Sequence, residues 1–290
     1  MRLFDCSHTL FHSIAVSTAL LLIGQLSYAA PICGRFIADD LAQQKQDIED
    51  GEPSDHVSLP AGARLVRDVR YGEDQQQRMD VYVPRQAAGA PVILMVHGGA
   101  WRLGDKGARA VVENKVSRWV SRGFIFISTN YRVLPKATPV EQARDIARAL
   151  AKAQSMAGSW GGDPAKFILM GHSAGAHLVA LLDAFPAMAL NLGARPWLGT
   201  VLLDSAALDV VKTMDMRHAR IYDRAFGSDP AYWQAASPFH VLSETATPFL
   251  AVCSTRRSDS CAQATGFVTK ATSLNVRATE VPHFRDVFVC

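Results

Sequence analysis

Apolar runs of strand length recur along this chain, and segments of helical periodicity stand between them. Pro91 opens VILMV, and FIFIS, KFILM, TVLLDS and PFLAVCS follow in order. Each run is short and bounded by turn residues or charges, as expected of a strand covered on both faces. Between the runs, Val111, Val112, Val116, Trp119 and Val120 mark one face of a helix over 108–122, which Gly123 stops. Pro139 begins a second helix over 139–157, with Ala143, Ile146, Ala147 and Leu150 on one side. GAHLVALLDAF and CAQATGFVTKATSL supply two more helices, and VRATEV a last strand. Strands spaced by helices predict a mostly parallel central sheet flanked by helices, with right-handed crossovers. Ahead of it, 64–71 and 78–84 alternate apolar and polar residues on either side of Gly72-Glu73-Asp74, which predicts an N-terminal antiparallel edge. Between the sixth and seventh strands, 206–247 carries Tyr222, Phe226, Tyr232, Trp233 and Phe239. Such an insertion reads either as a cap over a pocket or as extra helices on the core.

The 290 residues are 49% hydrophobic and 20% charged, enough to bury a sizeable core without metal or oligomer support. A net charge of +3, with no dense basic run interleaved with aromatics, argues against a nucleic-acid partner. The N-terminus has a targeting pattern: Arg2, an apolar run over 14–23, and Ser27-Tyr28-Ala29 with small residues at the −3 and −1 positions. It predicts a signal peptide over 1–29, a polar segment over 30–62 with a short helix near 36–49, and one domain over 63–290. The alternative, an uncleaved anchor, has an apolar core short of the roughly 20 residues a span needs. Stable membrane insertion is therefore not expected, and the mature chain is expected to be secreted or periplasmic. Loss of the leader removes Cys6 and leaves Cys33, Cys253, Cys261 and Cys290. In an oxidising compartment these four favour disulfides over buried thiols. Cys253 with Cys261 closes a small loop and leaves Cys33 with Cys290, although the spacing admits other pairings.

Within FILMGHSAGAHLV, residues 167–179, a serine lies between two glycines where a buried strand meets a helix. A tight turn would account for the glycines. The setting adds more: G-x-S-x-G there holds the Ser173 hydroxyl at the carboxyl edge of the sheet, beside the positive end of a helix. A second motif, His97-Gly98-Gly99-Ala100-Trp101, follows VILMV. A glycine loop there aims the Gly99 and Ala100 amides at a developing oxyanion, joined by the amide of Ala174. His97 precedes the serine and reads as a brace for its own loop. No His, Cys or carboxylate cluster has metal-ligand spacing, and no G-x-G-x-x-G opens after a strand, so neither a metal nor a cofactor is expected.

HGGAW at 97–101, NYR at 130–132, GGDP at 161–164 and GHSAGAHL at 171–178 together resemble the α/β-hydrolase superfamily. Within it they resemble the hormone-sensitive-lipase-like, HGGxW carboxylesterases and their kynurenine-formamidase relatives. The resemblance spans about 63–286. It implies the α/β-hydrolase fold, a serine nucleophile at Ser173, and a chain order of Ser, acid, His. The acid is then expected after PFLAVCS, at Asp259, with Asp204 and Asp209 as earlier alternatives. The base is expected after the last strand, at His283. Trp101 is expected to touch substrate; His172 and His177 are expected to pack or orient the serine turn. Asn130, Tyr131 and Arg132 are expected to tie loops together, with Asp145 either paired to an arginine or solvated. The implied activity is hydrolysis of small or short-chain acyl esters through an acyl-enzyme. Two other readings compete with it: an amide or formamide hydrolase using the same triad, and a binding module on the same fold.

Overall fold

A computed structural model describes residues 57–283 apart from 206, 256 and 258. The leader, the helix expected near 36–49, and the Cys33 and Cys290 ends lie outside the described residues. Eight strands form one sheet: β1 (Arg64–Arg70), β2 (Arg78–Val83), β3 (Ala90–Val96), β4 (Ile125–Thr129), β5 (Gly162–His172), β6 (Gly199–Leu203), β7 (Phe249–Ser254) and β8 (Ala278–His283). Their spatial order is β1-β2-β4-β3-β5-β6-β7-β8. The hairpin β1–β2 is antiparallel, β2 joins β4 antiparallel, and every pairing from β4 to β8 is parallel.

The β3 run shows why continuous apolar sequence suits the sheet interior. Val92, Leu94 and Val96 point into the core on one face, and Ile93 and Met95 into the core on the other. Side chains alternate along a strand, so a strand covered on both faces needs apolar residues at every position. α1 (Arg109–Val120) covers the Ile93 face with Val111, Val112 and Val116. α2 (Pro139–Met156) and α3 (Ala174–Ala184) cover the other with Ile146, Leu150, Leu178 and Leu181. α2 starts where Pro139 predicts: Thr138 and Glu141 form a capping box, with the Thr138 amide and hydroxyl both donating to the Glu141 carboxylate.

A short α4 (Ala187–Leu190) follows α3, and the insertion folds as four short helices: α5 (Val210–Asp215), α6 (Arg220–Phe226), α7 (Pro230–Ala235) and α8 (Pro238–Val241). Their aromatic residues Tyr222, Phe226, Tyr232, Trp233 and Phe239 all pack against the larger core cluster. α9 (Ser260–Ser273) then leads to β8. VRATEV misplaces the start of that last strand by two residues. Val276 is buried with its amide donating to the Ala271 carbonyl, and Asn275 takes a left-handed φ of 61°, so the helix end reaches further than the sequence pattern indicates. His283 consequently ends β8 instead of following it. Among the described residues no helix is long and apolar enough to cross a membrane.

Candidate active site

β5 runs straight into α3 through one residue. Ser173 has φ 51° and ψ −117°, a backbone conformation that non-glycine residues rarely adopt. Its amide donates to the Leu203 carbonyl at the end of β6 (2.8 Å), and its own carbonyl accepts the His177 amide (3.2 Å). The turn is tied on both sides. The flanking glycines explain themselves sterically. A Cβ on Gly175 would press into the Val96 and His97 carbonyl oxygens, and one on Gly171 into the backbone of Gly175 and Ala176. Helix α3 therefore approaches β3 closely, and Ser173 stands at the carboxyl edge with the first amides of α3 beside it. Those amides have no partner inside the helix.

The loop after β3 reaches the same edge. Gly99, Ala100 and Trp101 all have positive φ, at 101°, 50° and 59°. Two of these are not glycine, so the surroundings must hold the conformation. They do. The Gly99 carbonyl accepts the amides of Arg102 (3.0 Å) and Leu103 (2.9 Å). The Trp101 carbonyl accepts the Leu134 amide (2.9 Å) and the Gln142 side chain (2.8 Å). His97 braces the loop as expected: its ring stacks on Tyr131 (centroids 4.5 Å) and its Nδ1 donates to the Gly98 carbonyl (2.8 Å). The Tyr131 hydroxyl donates to the His97 carbonyl at 3.0 Å.

Trp101 ties this loop to the rest of the molecule. It is 3% exposed, and its indole is packed by Tyr222, Phe226 and His177. Its Nε1–H donates to His177 Nδ1 (3.1 Å), while His177 Nε2 faces the Ala236 carbonyl at 2.7 Å. An indole N–H only donates and a carbonyl only accepts, so the imidazole is neutral with its proton on Nε2. Burial pushes its pKa down to about 4. Trp101 thus anchors the 97–101 loop and is joined through α3 to the insertion.

The Asp259 segment lies two strands further on. Asp259 is exposed, immediately precedes α9, and its carbonyl accepts the Gln263 amide (2.9 Å). Cys253 at the end of β7 and Cys261 in the first turn of α9 are bonded, with Cα atoms 5.0 Å apart, so a bridge closes around the Asp259 segment. In register, His283 pairs with Ser254 at the carboxyl end of β8. The His283 side chain lies outside the described residues. Ser173, Asp259 and His283 therefore come to one edge of the sheet, with the ends of β6 and β7 between the serine and the histidine.

The two alternative acids differ from each other. Asp209 caps α5, accepting the Lys212 amide (3.1 Å), with His240 Nδ1 3.5 Å away. Asp204, just after β6, is buried. Its Oδ1 accepts the Ser254 amide (2.8 Å) and the Ser260 hydroxyl (2.5 Å), and Arg257 Nη1 lies 3.4 Å from Oδ2. Burial raises its pKa, but Arg257, Ser260, the Ser254 amide and His172 together hold it below the ordinary carboxylate range. Sequence reasoning noticed Asp204 only as a spare acid. The signal for its part in a network was an aspartate closing the otherwise apolar run TVLLD.

Other motif residues are structural, as expected. The buried Asp145 takes a two-pronged pair from Arg132 (both 2.7 Å), Arg148 Nη1 (3.1 Å) and the Gln77 amide (2.9 Å). Asn130 accepts the Lys106 amide (2.5 Å) and donates to Asp105 (2.8 Å). Among the described residues, Cys253, Cys261 and Glu280 have donor atoms close enough to share an ion. There the two sulfurs are already bonded to each other.

A mostly parallel eight-stranded sheet with a strained serine between β5 and α3 defines the α/β-hydrolase fold. Residues 79–191, which include both glycine motifs, match the family described as BD-FAE. The chain is 31% identical over 202 residues to the esterase LipQ of Mycobacterium tuberculosis, a match covering 64% of this chain and 48% of that protein. It is 35% identical over 119 residues to a rice protein described as a probable isoprenylcysteine alpha-carbonyl methylesterase, covering 41% of this chain and 27% of the relative. The chain thus spans less than half the length of these two relatives. Among solved structures, esterase B of Lactobacillus rhamnosis superposes with a TM-score of 0.66 at 21% identity, covering 94% of this chain and 89% of that one.

Proposed function

We propose that this chain is a serine carboxylic-ester hydrolase acting on small or short-chain acyl esters. The observation that carries the proposal is the strained Ser173 turn set against an amide loop that folds from Gly99 to Trp101. A backbone held in this costly conformation at a sheet edge marks a site where a side chain has to be presented. The relatives named above as esterases support the ester as substrate class.

In this reading the Ser173 oxygen attacks the ester carbonyl carbon, and its proton passes to His283. The carbonyl π electrons move onto oxygen, and the Gly99, Ala100 and Ala174 amides receive the resulting charge. One such donor is worth about 2.7–4 kcal/mol in the transition state. As the C–O bond to the alcohol breaks, His283 returns the proton to the leaving oxygen. Water then repeats the sequence on the acyl-enzyme, releasing the acid and restoring Ser173. Asp259 fixes the imidazole and balances its transient charge. No step calls for a metal or cofactor. The leader pattern and the Cys253–Cys261 pair support export to an oxidising compartment.

The test is turnover of p-nitrophenyl acetate and butyrate by the full chain and by Ser173→Ala, with fluorophosphonate labelling in parallel. Wild-type turnover and labelling, both lost in the variant, are expected. Equal rates for the two proteins reject the assignment. Faster turnover of N-formyl arylamines than of acyl esters would move the reading to amide hydrolysis.

A further inference from the structure

Asp204 is a buried carboxylate beside the site that the reaction above does not use. It follows β6 with a left-handed φ of 57°, and its amide donates to the Val252 carbonyl (2.7 Å). Among the described residues, three partners of its side chain come from one stretch. The Ser254 amide, the Arg257 guanidinium and the Ser260 hydroxyl span the turn from the end of β7 to the first residue of α9. Arg257 Nη1 also donates to the Asp204 backbone carbonyl (3.2 Å). That turn carries Asp259. Arg257 feels both carboxylates, together with Tyr222 of α6, while Asp204 also feels His172 at the end of β5.

A guanidinium two residues from a catalytic carboxylate is a competitor for it. The imidazolium that forms during catalysis needs the same oxygens, and a planar fork binds a carboxylate better than an imidazolium does. We propose, on the serine-hydrolase reading, that Asp204 is a positioning residue for the acid–base pair. It folds the Ser254–Ser260 turn and keeps Arg257 engaged at its own carboxylate and carbonyl, which leaves Asp259 for His283. The effect of Asp204 passes through Arg257, and that separates it from a catalytic acid carried on β6.

Four proteins test this: wild type, D204N, R257Q and D204N/R257Q, each checked for folding by thermal melt. Asparagine retains an oxygen for the Ser254 amide but gives up the charge that holds Arg257. D204N is expected to lower kcat on p-nitrophenyl acetate about 10²-fold, the scale of a displaced catalytic group, with KM nearly unchanged. Fluorophosphonate labelling of Ser173 should slow in step. R257Q alone should stay within a few-fold of wild type, and the double variant should recover to within about threefold of R257Q, because the competitor is gone. A purely structural role would not predict recovery on removing a second buried contact. If D204N is insoluble, the double variant against R257Q carries the test: a difference below about threefold supports the proposal. A kcat for D204N within twofold of wild type overturns it, as does a loss falling on KM alone. A double variant as slow as D204N also overturns it and makes Asp204 itself the acid. If wild type neither hydrolyses nor labels, the serine-hydrolase reading fails and this inference with it.

Discussion

The Ser173 half of the proposed site and its Asp259 half are held by different means. Ser173 and the 97–101 loop are fixed mainly by backbone: strand registry, the Ser173 amide on the Leu203 carbonyl, positive φ angles and glycines against carbonyl oxygens. The Asp259 turn is fixed mainly through side chains: Asp204 to Ser254, Arg257 and Ser260, and one disulfide. Backbone restraint survives most substitutions outside glycine. Side-chain restraint is lost one partner at a time. On the proposed reaction, the half that places the serine oxygen is therefore the more robust, and the half that carries the acid is the more adjustable.

Substitutions on either side should break or sharpen this contrast. Ser173→Ala is expected to cost about 10⁶-fold in kcat with folding intact; a loss below tenfold in steady-state assays would remove the serine from the chemistry. Asp259→Asn should cost about 10⁴-fold, since the amide no longer fixes the imidazole tautomer; an unchanged kcat would move the acid elsewhere. Gly175→Ala should act on the fold, lowering stability by about 4 kcal/mol because the new methyl meets two carbonyl oxygens. Soluble expression with an unshifted melting temperature would contradict the close approach of α3 to β3.

His177 offers a pH test on the nucleophile side. Its folded pKa is about 4, well below the 6.5 of an ordinary histidine, so between these values the unfolded chain binds the extra proton. Its contribution to stability is full above the unfolded pKa and falls as pH drops towards 4, by of order 3 kcal/mol. His177→Gln should flatten the acid side of a plot of unfolding free energy against pH, measured by urea titration. The comparison must be with wild type at each pH. Asp183, buried against Thr200 and Thr247, has its pKa pushed up to about 7 and gives a slope of the opposite sign over the same range. Replacing Cys253 and Cys261 by alanine should have the smallest effect, about 2 kcal/mol of stability for so short a loop. A parallel fall in kcat would place the bridge in support of Asp259; an unchanged kcat would leave that task to Asp204.

The same contrast decides what the sequence reveals. Strand and helix order was legible because each element carries its own period, down to the Pro139 start of α2. The serine turn was legible because its glycines are required locally. The insertion could be delimited but not shaped, since four helices of four to seven residues have little periodicity of their own. The partner of Trp101 was invisible, because contact with His177 spans 76 positions and depends on a positive φ that sequence does not announce. For the same reason Asp204 looked like a spare acid: its three partners lie 50 to 56 positions away, on a neighbouring strand and turn. VRATEV reads as a strand two residues too early because a buried valine in a helix-closing turn resembles the first residue of a strand.

The hydrogen-bond line from Trp101 through His177 to the Ala236 carbonyl has an evolutionary corollary. A transplanted or remodelled insertion must still offer a carbonyl at that point, or the ring loses the acceptor that sets its tautomer and the glycine loop loosens behind it. Changes of substrate range achieved by editing these four helices would thus be coupled to rate, and the tolerated edits should cluster away from the turn between α7 and α8.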